Sequence, residues 1–558
     1  MVCREAWSAM SYWRRQEADP AMTLLSRLYG VRPALRHRVH VRRNVEIPAS
    51  DGVRLLATHY YPAGQHHPPL VLLRSPYGRG NVLDRLPALL AERGYQVLYQ
   101  SLCGTAGSGG RFDGFVIDPA DADGTLSWLR AQPWFGGGLA TWGASYLGYV
   151  QWELAARDIP EWKIALIQDA PSEFARGFMY PGGAFATGNT LGWVQLVERM
   201  FSSGYGITRQ VAGMVGAARR LSDATLTLPL QEADQALTGH PVPWFRHWVR
   251  HGPGEKYWTS TDQRHNVARM PPVVHLQGGW HDFFLPGMLA DYAALVAAGR
   301  QVRLLVGPWG HGRGLYTRQG LPDALAALDA ALLGRPAPSG VRLFVTGAGR
   351  WIDMPAWPPA HEATPWFLHP HGGLSRTPPD RRSSPSRYRY DPADPTPTVG
   401  GTQVGLSAGA KDNRPIEARA DVLTFTTAPL AEDVEAIGPV RVRVHARSAN
   451  PHADYFARVC DVDPRGRSVN VCDGIIRLHN PGDIRVADIT LWPMAHRFKR
   501  GHRIRVQVSS GAHPRFGRNP GTGEPLATAR SLRPSKHEIF HDRSHPSALW
   551  LPLIPGAS

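Results

Sequence analysis

Ser145 sits in Gly143-Ala144-Ser145-Tyr146-Leu147-Gly148, a serine among small residues with an apolar run before it and a helical stretch after it. That arrangement suits a nucleophile elbow, in which a strained strand-to-helix turn lifts a serine hydroxyl above a sheet. The second glycine falls one place later than in G-x-S-x-G, so the motif needs partners to carry meaning. Two follow in the order serine, acid, histidine that such folds use. "VVHLQGGWHDFF" is an apolar run leading into Asp282, and "VRLLVGPWGHG" is another leading into His311. Placed at strand ends, His311 would take the proton of Ser145. Asp282 would fix the imidazole tautomer and stabilise the imidazolium. His281 and Asp118 compete for these roles: the first neighbours the acid on one loop, and the second suits a helix cap. An oxyanion site needs two donors. The backbone N–H of Tyr146 is one candidate, and the phenol of Tyr77 in "LRSPYGRG" is the other.

The elements that must position these side chains are legible as strand–helix alternation. "PLVLLRSPYG", "YQVLYQS" and "GLATWG" are short apolar runs ending in turn residues, as buried central strands do. "DPADADGTLSWLRAQPW" and "YLGYVQWELAAR" read as helices between them. Such alternation predicts a mostly parallel sheet with helices on both faces. It spans 38–172 and returns over 266–365. Between them, 173–265 lacks strand signals and reads as a helical insertion. From 366 to 558, many short alternating strands with frequent turns predict a β-sandwich. Residues 1–37 read as an N-terminal extension.

Composition removes some function classes. The chain has 558 residues, 43% of them hydrophobic and 19% charged, which is ordinary for a globular protein of several domains. Its net charge is +16, but only five of the 62 basic residues are lysine and the arginines are scattered. A nucleic-acid protein gathers its charge on one face, so no nucleic-acid partner is expected. No apolar run reaches the ~20 residues of a membrane span, and the N-terminus lacks a signal-peptide core. A cytoplasmic protein without a membrane partner is expected. The four cysteines form no CxxC pair. Cys460 and Cys472 flank a hairpin that could set them opposite each other, although reduced, buried thiols are the default. The histidines at 66–67 and 369–371 lack the spacing of a zinc site; neither a metal nor another cofactor is expected.

The motifs "SPYG", "GASYLG", "GGWHDFF" and "GPWGHG" resemble the cocaine esterase / X-Pro dipeptidyl-peptidase family of serine hydrolases. The likeness extends from about residue 40 to the C-terminal "HPSALWLPLI". It implies an α/β-hydrolase domain, a helical cap and a jelly-roll β-sandwich, with the active site where the three meet. It implies the triad Ser145, Asp282 and His311, and it matches Tyr77 and Tyr146 to the oxyanion donors. One segment departs. The family's "QDxRGxGxSxG" reads "QSLCGTAGSGG" here, with Ser101 and Cys103 in place of an Asp and an Arg that resemble a structural ion pair. Members acting on α-amino esters carry carboxylates two and three residues after the catalytic acid. Here those places hold Phe284 and Leu285. Phe284 and Trp193 resemble the aromatic walls of the cocaine esterase pocket, and Phe178 and Met179 are further candidates for its lining. These residues point to an apolar or aromatic acyl group, held as an ester more readily than an amide. An acyltransferase using the same triad on an alcohol or amine remains open. So do a non-catalytic binding protein on a hydrolase scaffold and a homodimer.

Overall fold

The computed structural model describes residues 14–16, 26–32, 34, 38–79, 85–203, 216–336, 338–405, 407–479 and 483–555. An eleven-stranded sheet forms the first layer. Its strands are Arg14–Gln16 (β1), Val39–Pro48 (β2), Arg54–Pro62 (β3), Leu70–Ser75 (β4), Gln96–Ser101 (β5) and Leu139–Ala144 (β6). Trp162–Gln168 (β7), Val273–His281 (β8), Gln301–Gly310 (β9), Val341–Val345 (β10) and Arg350–Met354 (β11) complete it. Their order is β1-β2-β3-β5-β4-β6-β7-β8-β9-β10-β11. From β5 to β10 neighbours run parallel, and the pairs at both ends are antiparallel. The physical cause is visible strand by strand. Every residue of β4 and β5 is buried, because helices cover both faces. β2 instead buries alternate residues toward its ends and is bulged between Arg42 and Val45.

The stretch 1–37 is not wholly an extension. Arg14–Gln16 pairs with Val39–Val41 and adds an edge strand to the sheet. The buried Arg93 donates to Ser26 Oγ and to the carbonyl of Arg32, tying residues 26–32 to the domain. Apart from residue 34, the remainder of that stretch lies outside the described residues.

Between β7 and β8 the chain leaves the sheet to build the cap. It makes a π-turn over Ala175–Met179 and the helices Thr187–Ser203, Ala217–Thr225, Ala233–Thr238 and Pro243–Arg250. Part of the expected helical insertion, residues 204–215, lies outside the described residues. The cap rests on the third unit. A Cβ on Gly182 (φ 59°) would meet the carbonyl oxygen of Ile475 at 1.8 Å, so only glycine permits that approach.

The third unit is a second eleven-stranded β assembly. Its strands begin with Glu362–His369 (β12), a few residues before the expected boundary, and end with Ala548–Leu553. A dense apolar core lies between its strands. Cys460 pairs across the hairpin with Asn470, and Cys472 with Val459, because a bulge shifts the register there. The two thiols are free and buried, in line with the default reading, and they do not stand opposite each other in the register. This unit is sewn onto the catalytic sheet. Thr346 N donates to the carbonyl of Ala495, and Arg497 N donates to that of Thr346, both at 2.9 Å. No described helix is long and apolar enough to cross a membrane.

Candidate active site

Four consecutive parallel strands deliver four polar side chains to one edge. Ser145 follows β6, Asp169 follows β7, Asp282 follows β8 and His311 follows β9. Those strands are neighbours in the same order. Side chains separated by up to 166 residues in the chain therefore meet above one short stretch of sheet.

Ser145 has φ 57° and ψ −124°, a conformation that costs a non-glycine residue of order 1–3 kcal/mol. The surroundings hold it there. Ser145 N donates to the carbonyl of Gln168 at 2.9 Å, and the helix Tyr146–Leu154 begins at the next residue. The displaced glycine is explained by packing. A Cβ on Gly143 would lie 2.3 Å from that of Leu147, and one on Gly148 would lie 2.6 Å from that of Ala170. Helix and sheet approach too closely for any side chain at either place.

His311 Nε2 lies 3.0 Å from Ser145 Oγ. Its Nδ1 faces both oxygens of Asp282, at 3.3 and 3.4 Å. Asp282 is fully buried and also accepts from Phe284 N at 2.8 Å. Burial holds the His311 pKa below its ordinary value of 6.5, so the ring is neutral at pH 7 and free to accept a proton. Phe283 stacks on the imidazole with centroids 4.4 Å apart, and Phe284 meets it edge-on. The β assembly braces the acid: Trp492 Nε1 donates to the backbone carbonyl of Asp282 at 3.1 Å.

On the other side of the serine, Trp193 Nε1 donates to Tyr77 Oη at 2.8 Å. Burial pushes the Tyr77 pKa up to about 12. Its oxygen accepts from tryptophan and the phenol keeps its proton; Tyr77 and Ser145 line the same cavity. The Tyr146 backbone N–H lies in the first helical turn, where it has no partner within the helix. Its own phenol is tied to the carbonyl of Gly114 at 2.6 Å.

A cavity of about 390 Å³ opens onto Ser145 and His311. Phe115, Phe178, Trp193, Phe283 and Phe284 line it, and Val404 closes it from the β assembly. Met179 does not reach it; the residue is buried beside Thr190, which donates to its sulfur. The π-turn aims Phe178 inward and its neighbour away. The lining contains Arg199 but, among the described residues, no carboxylate. The rival candidates lie elsewhere. Asp118 caps the helix Pro119–Arg130. His281 is buried beneath the β assembly near Arg458 and Asp473, with its pKa lowered to about 4 by burial.

Three functional neighbours escaped the sequence reading: Phe115, Phe283 and above all Asp169. "KIALIQDA" does carry the last signal, since an apolar run ending in an acid occupies the place of the strand between serine and acid. Asp169, Asp282 and His311 are also the one described group whose ligand atoms lie within 4.8 Å of one another, close enough to hold a cation. Those atoms already face one another, Ser145 Oγ or the N–H of Gly312, so hydrogen bonding accounts for the cluster.

The departing segment has a local explanation. Arg79 donates to Ser101 Oγ, to the carbonyl of Ala106 and to Asn44 Oδ1, each at 2.8 Å. Cys103 N donates to Asp121 at 2.9 Å. The loop after β5 is thus held by an arginine from the "SPYGRG" turn.

With this geometry established, comparison with known proteins decides the family. Residues 51–313 match the X-Pro dipeptidyl-peptidase (S15 family) description, and residues 336–549 match the X-Pro dipeptidyl-peptidase C-terminal non-catalytic domain. The chain belongs to the S15 family. It is therefore a serine hydrolase with an α/β-hydrolase fold. It is 32% identical to the cocaine esterase of Rhodococcus sp. (strain MB1 Bresler), over 92% of this chain and 98% of that one. Among solved structures, an α-amino acid ester hydrolase superposes with a TM-score of 0.78 at 23% identity, covering 92% of this chain and 97% of that one. A CocE/NonD family hydrolase from Staphylococcus aureus gives 0.69 at 17% identity, covering 93% and 95%. For an S15 member, the "non-catalytic" label of the second domain sits beside a plain structural fact: its Trp492 holds the Asp282 backbone.

Proposed function

We propose that this enzyme hydrolyses esters, and amides less readily, of apolar or aromatic carboxylic acids through an acyl-enzyme on Ser145. The observation that carries this reading is the His311 imidazole, 3.0 Å from the serine hydroxyl on one side and facing a buried carboxylate on the other. As Ser145 Oγ attacks the ester carbonyl, its proton passes to His311 Nε2, and Asp282 stabilises the imidazolium. The carbonyl oxygen becomes an oxyanion that accepts from the Tyr77 phenol and the Tyr146 N–H. Collapse expels the alkoxide, which takes the proton from His311. Water then repeats the sequence on the acyl-enzyme, releasing the acid and restoring the serine.

Aromatic walls with few polar anchors suit an apolar acyl group. Phe284 and Leu285 after the acid, with no carboxylate in the described lining, argue against a substrate ammonium. The 32%-identical relative is itself an esterase, which favours the ester reading. The test is a panel of p-nitrophenyl esters with acetyl, butyryl, benzoyl and α-aminoacyl groups. The benzoyl or butyryl ester should give the highest kcat/KM. A clear preference for the α-aminoacyl ester would refute the pocket assignment.

A further inference from the structure

We propose that Asp169 is a positioning residue that shares one proton and one negative charge with Asp282. It holds that carboxylate against His311 and takes over as the acid when Asp282 cannot serve. This rests on the triad reading above.

Two carboxyl groups in contact inside a dry site cannot both ionise, because each charge raises the cost of the other. Asp169 and Asp282 are both buried, with carboxyl oxygens within 4.8 Å of each other, a contact that is stable only when one of them carries a proton. The donors decide which. Asp282 receives His311 Nδ1–H and Phe284 N–H, whereas Asp169 receives only Gly312 N–H, at 2.8 Å. The anion therefore sits on Asp282, and the proton on Asp169 points at it. In accord with this, burial and the neighbouring Asp282 charge push Asp169 well above the usual carboxylate range. The titratable groups acting on it are Asp282 and His311.

The backbone is arranged for this contact. Asp169 has φ 47°, in the left-handed region, and its N–H is fixed to the carbonyl of Gln277 on β8 at 2.9 Å. Its Oδ2 accepts from the N–H of Gly312, the residue after His311. One side chain thus touches both the acid and the loop that carries the base. Because all three ligand atoms lie within 4.8 Å of one another, a side-chain rotation brings Asp169 to His311. With Asp282 made neutral, Asp169 loses its proton to solvent and supplies the missing charge.

The test is a two-by-two set in the full-length enzyme: wild type, Asp169→Asn, Asp282→Asn and the double variant, each assayed for kcat on the best ester of the panel. Asparagine at 169 keeps a neutral donor, so kcat should fall by about threefold. Asp282→Asn should cost about 10², less than the ~10⁴ of a triad with no second acid, and the double variant should reach that ~10⁴. A merely structural Asp169 would cost the same factor in both backgrounds, and that result overturns the inference. So does an Asp282→Asn variant that already loses ~10⁴, although the triad reading then stands. An Asp282→Asn enzyme with undiminished kcat overturns the triad reading and this inference with it. Should Asp282→Asn fail to fold, infrared difference spectra of wild type and Asp169→Asn decide. A protonated-carboxyl band at neutral pH must be present in the first and lost in the second; its absence from the first refutes the shared proton.

Discussion

Two cavities lie beside the nucleophile turn, and they differ in what their walls can do. The larger, about 630 Å³, has Tyr146 and Cys103 in its wall together with Arg111, Asp118, Asp121 and His247. The smaller, about 390 Å³, has Ser145 and His311 in an aromatic wall. Size would choose the first, and nucleophilicity in isolation would choose its thiol. Proton management chooses the second. Burial and the charge of Asp121 raise the Cys103 pKa above 9.0, so the thiol stays protonated at neutral pH. Ser145 instead has a neutral imidazole against its hydroxyl, with a carboxylate behind it. The Cys103 thiol donates to the carbonyl of Arg111, whereas a weak nucleophile is activated by an adjacent base.

The largest test of that contrast is paired substitution. Ser145→Ala should lower kcat by about 10⁶ and abolish labelling by a fluorophosphonate probe, leaving the melting temperature near that of wild type. Labelling that persists in the alanine variant would move the chemistry out of this cavity. Next comes the oxyanion donor. Tyr77→Phe should reduce kcat by about 10²–10³ with little change in KM; an effect confined to KM would remove Tyr77 from that role. The pH profile sharpens the comparison further. His311 must be neutral to accept the serine proton, and its pKa is lowered, so kcat/KM should fall only as pH drops through a value below 6.5. A thiolate mechanism at Cys103 would instead need pH above 9.0 to become active. The smallest expected effect is Cys103→Ser, which should leave kcat/KM within about twofold, because the thiol stays protonated and has no part in the chemistry.

Part of the site is readable because it obeys local rules. Small residues around Ser145 relieve a crowded turn, and the glycine spacing follows from helix and sheet closing to contact. Apolar runs ending in Asp282 and His311 mark strand ends, where an open parallel sheet presents its polar side chains. Other parts follow no local rule. Nothing in "FMYPGG" tells that Phe178 faces the cavity and Met179 the core, since a π-turn sets that direction. The register of Cys460 and Cys472 depends on a bulge that the alternating pattern does not announce. Arg14–Gln16 joins the sheet only through long-range pairing with β2.

The sequence by itself determined the order of strands and helices, the strained serine turn and which polar residues end which strands. These depend on neighbours a few positions away, through period, turn chemistry and steric room. Only the tertiary structure decided that β7 lies between β6 and β8, which brings Asp169 beside Asp282 and His311. It alone decided that a tryptophan from the cap donates to the Tyr77 phenol oxygen, and that another from the β assembly holds the Asp282 backbone. The reason is that a charge or a donor acquires its strength from what is brought within about 3 Å of it inside a dry interior, and chain connectivity does not encode that distance.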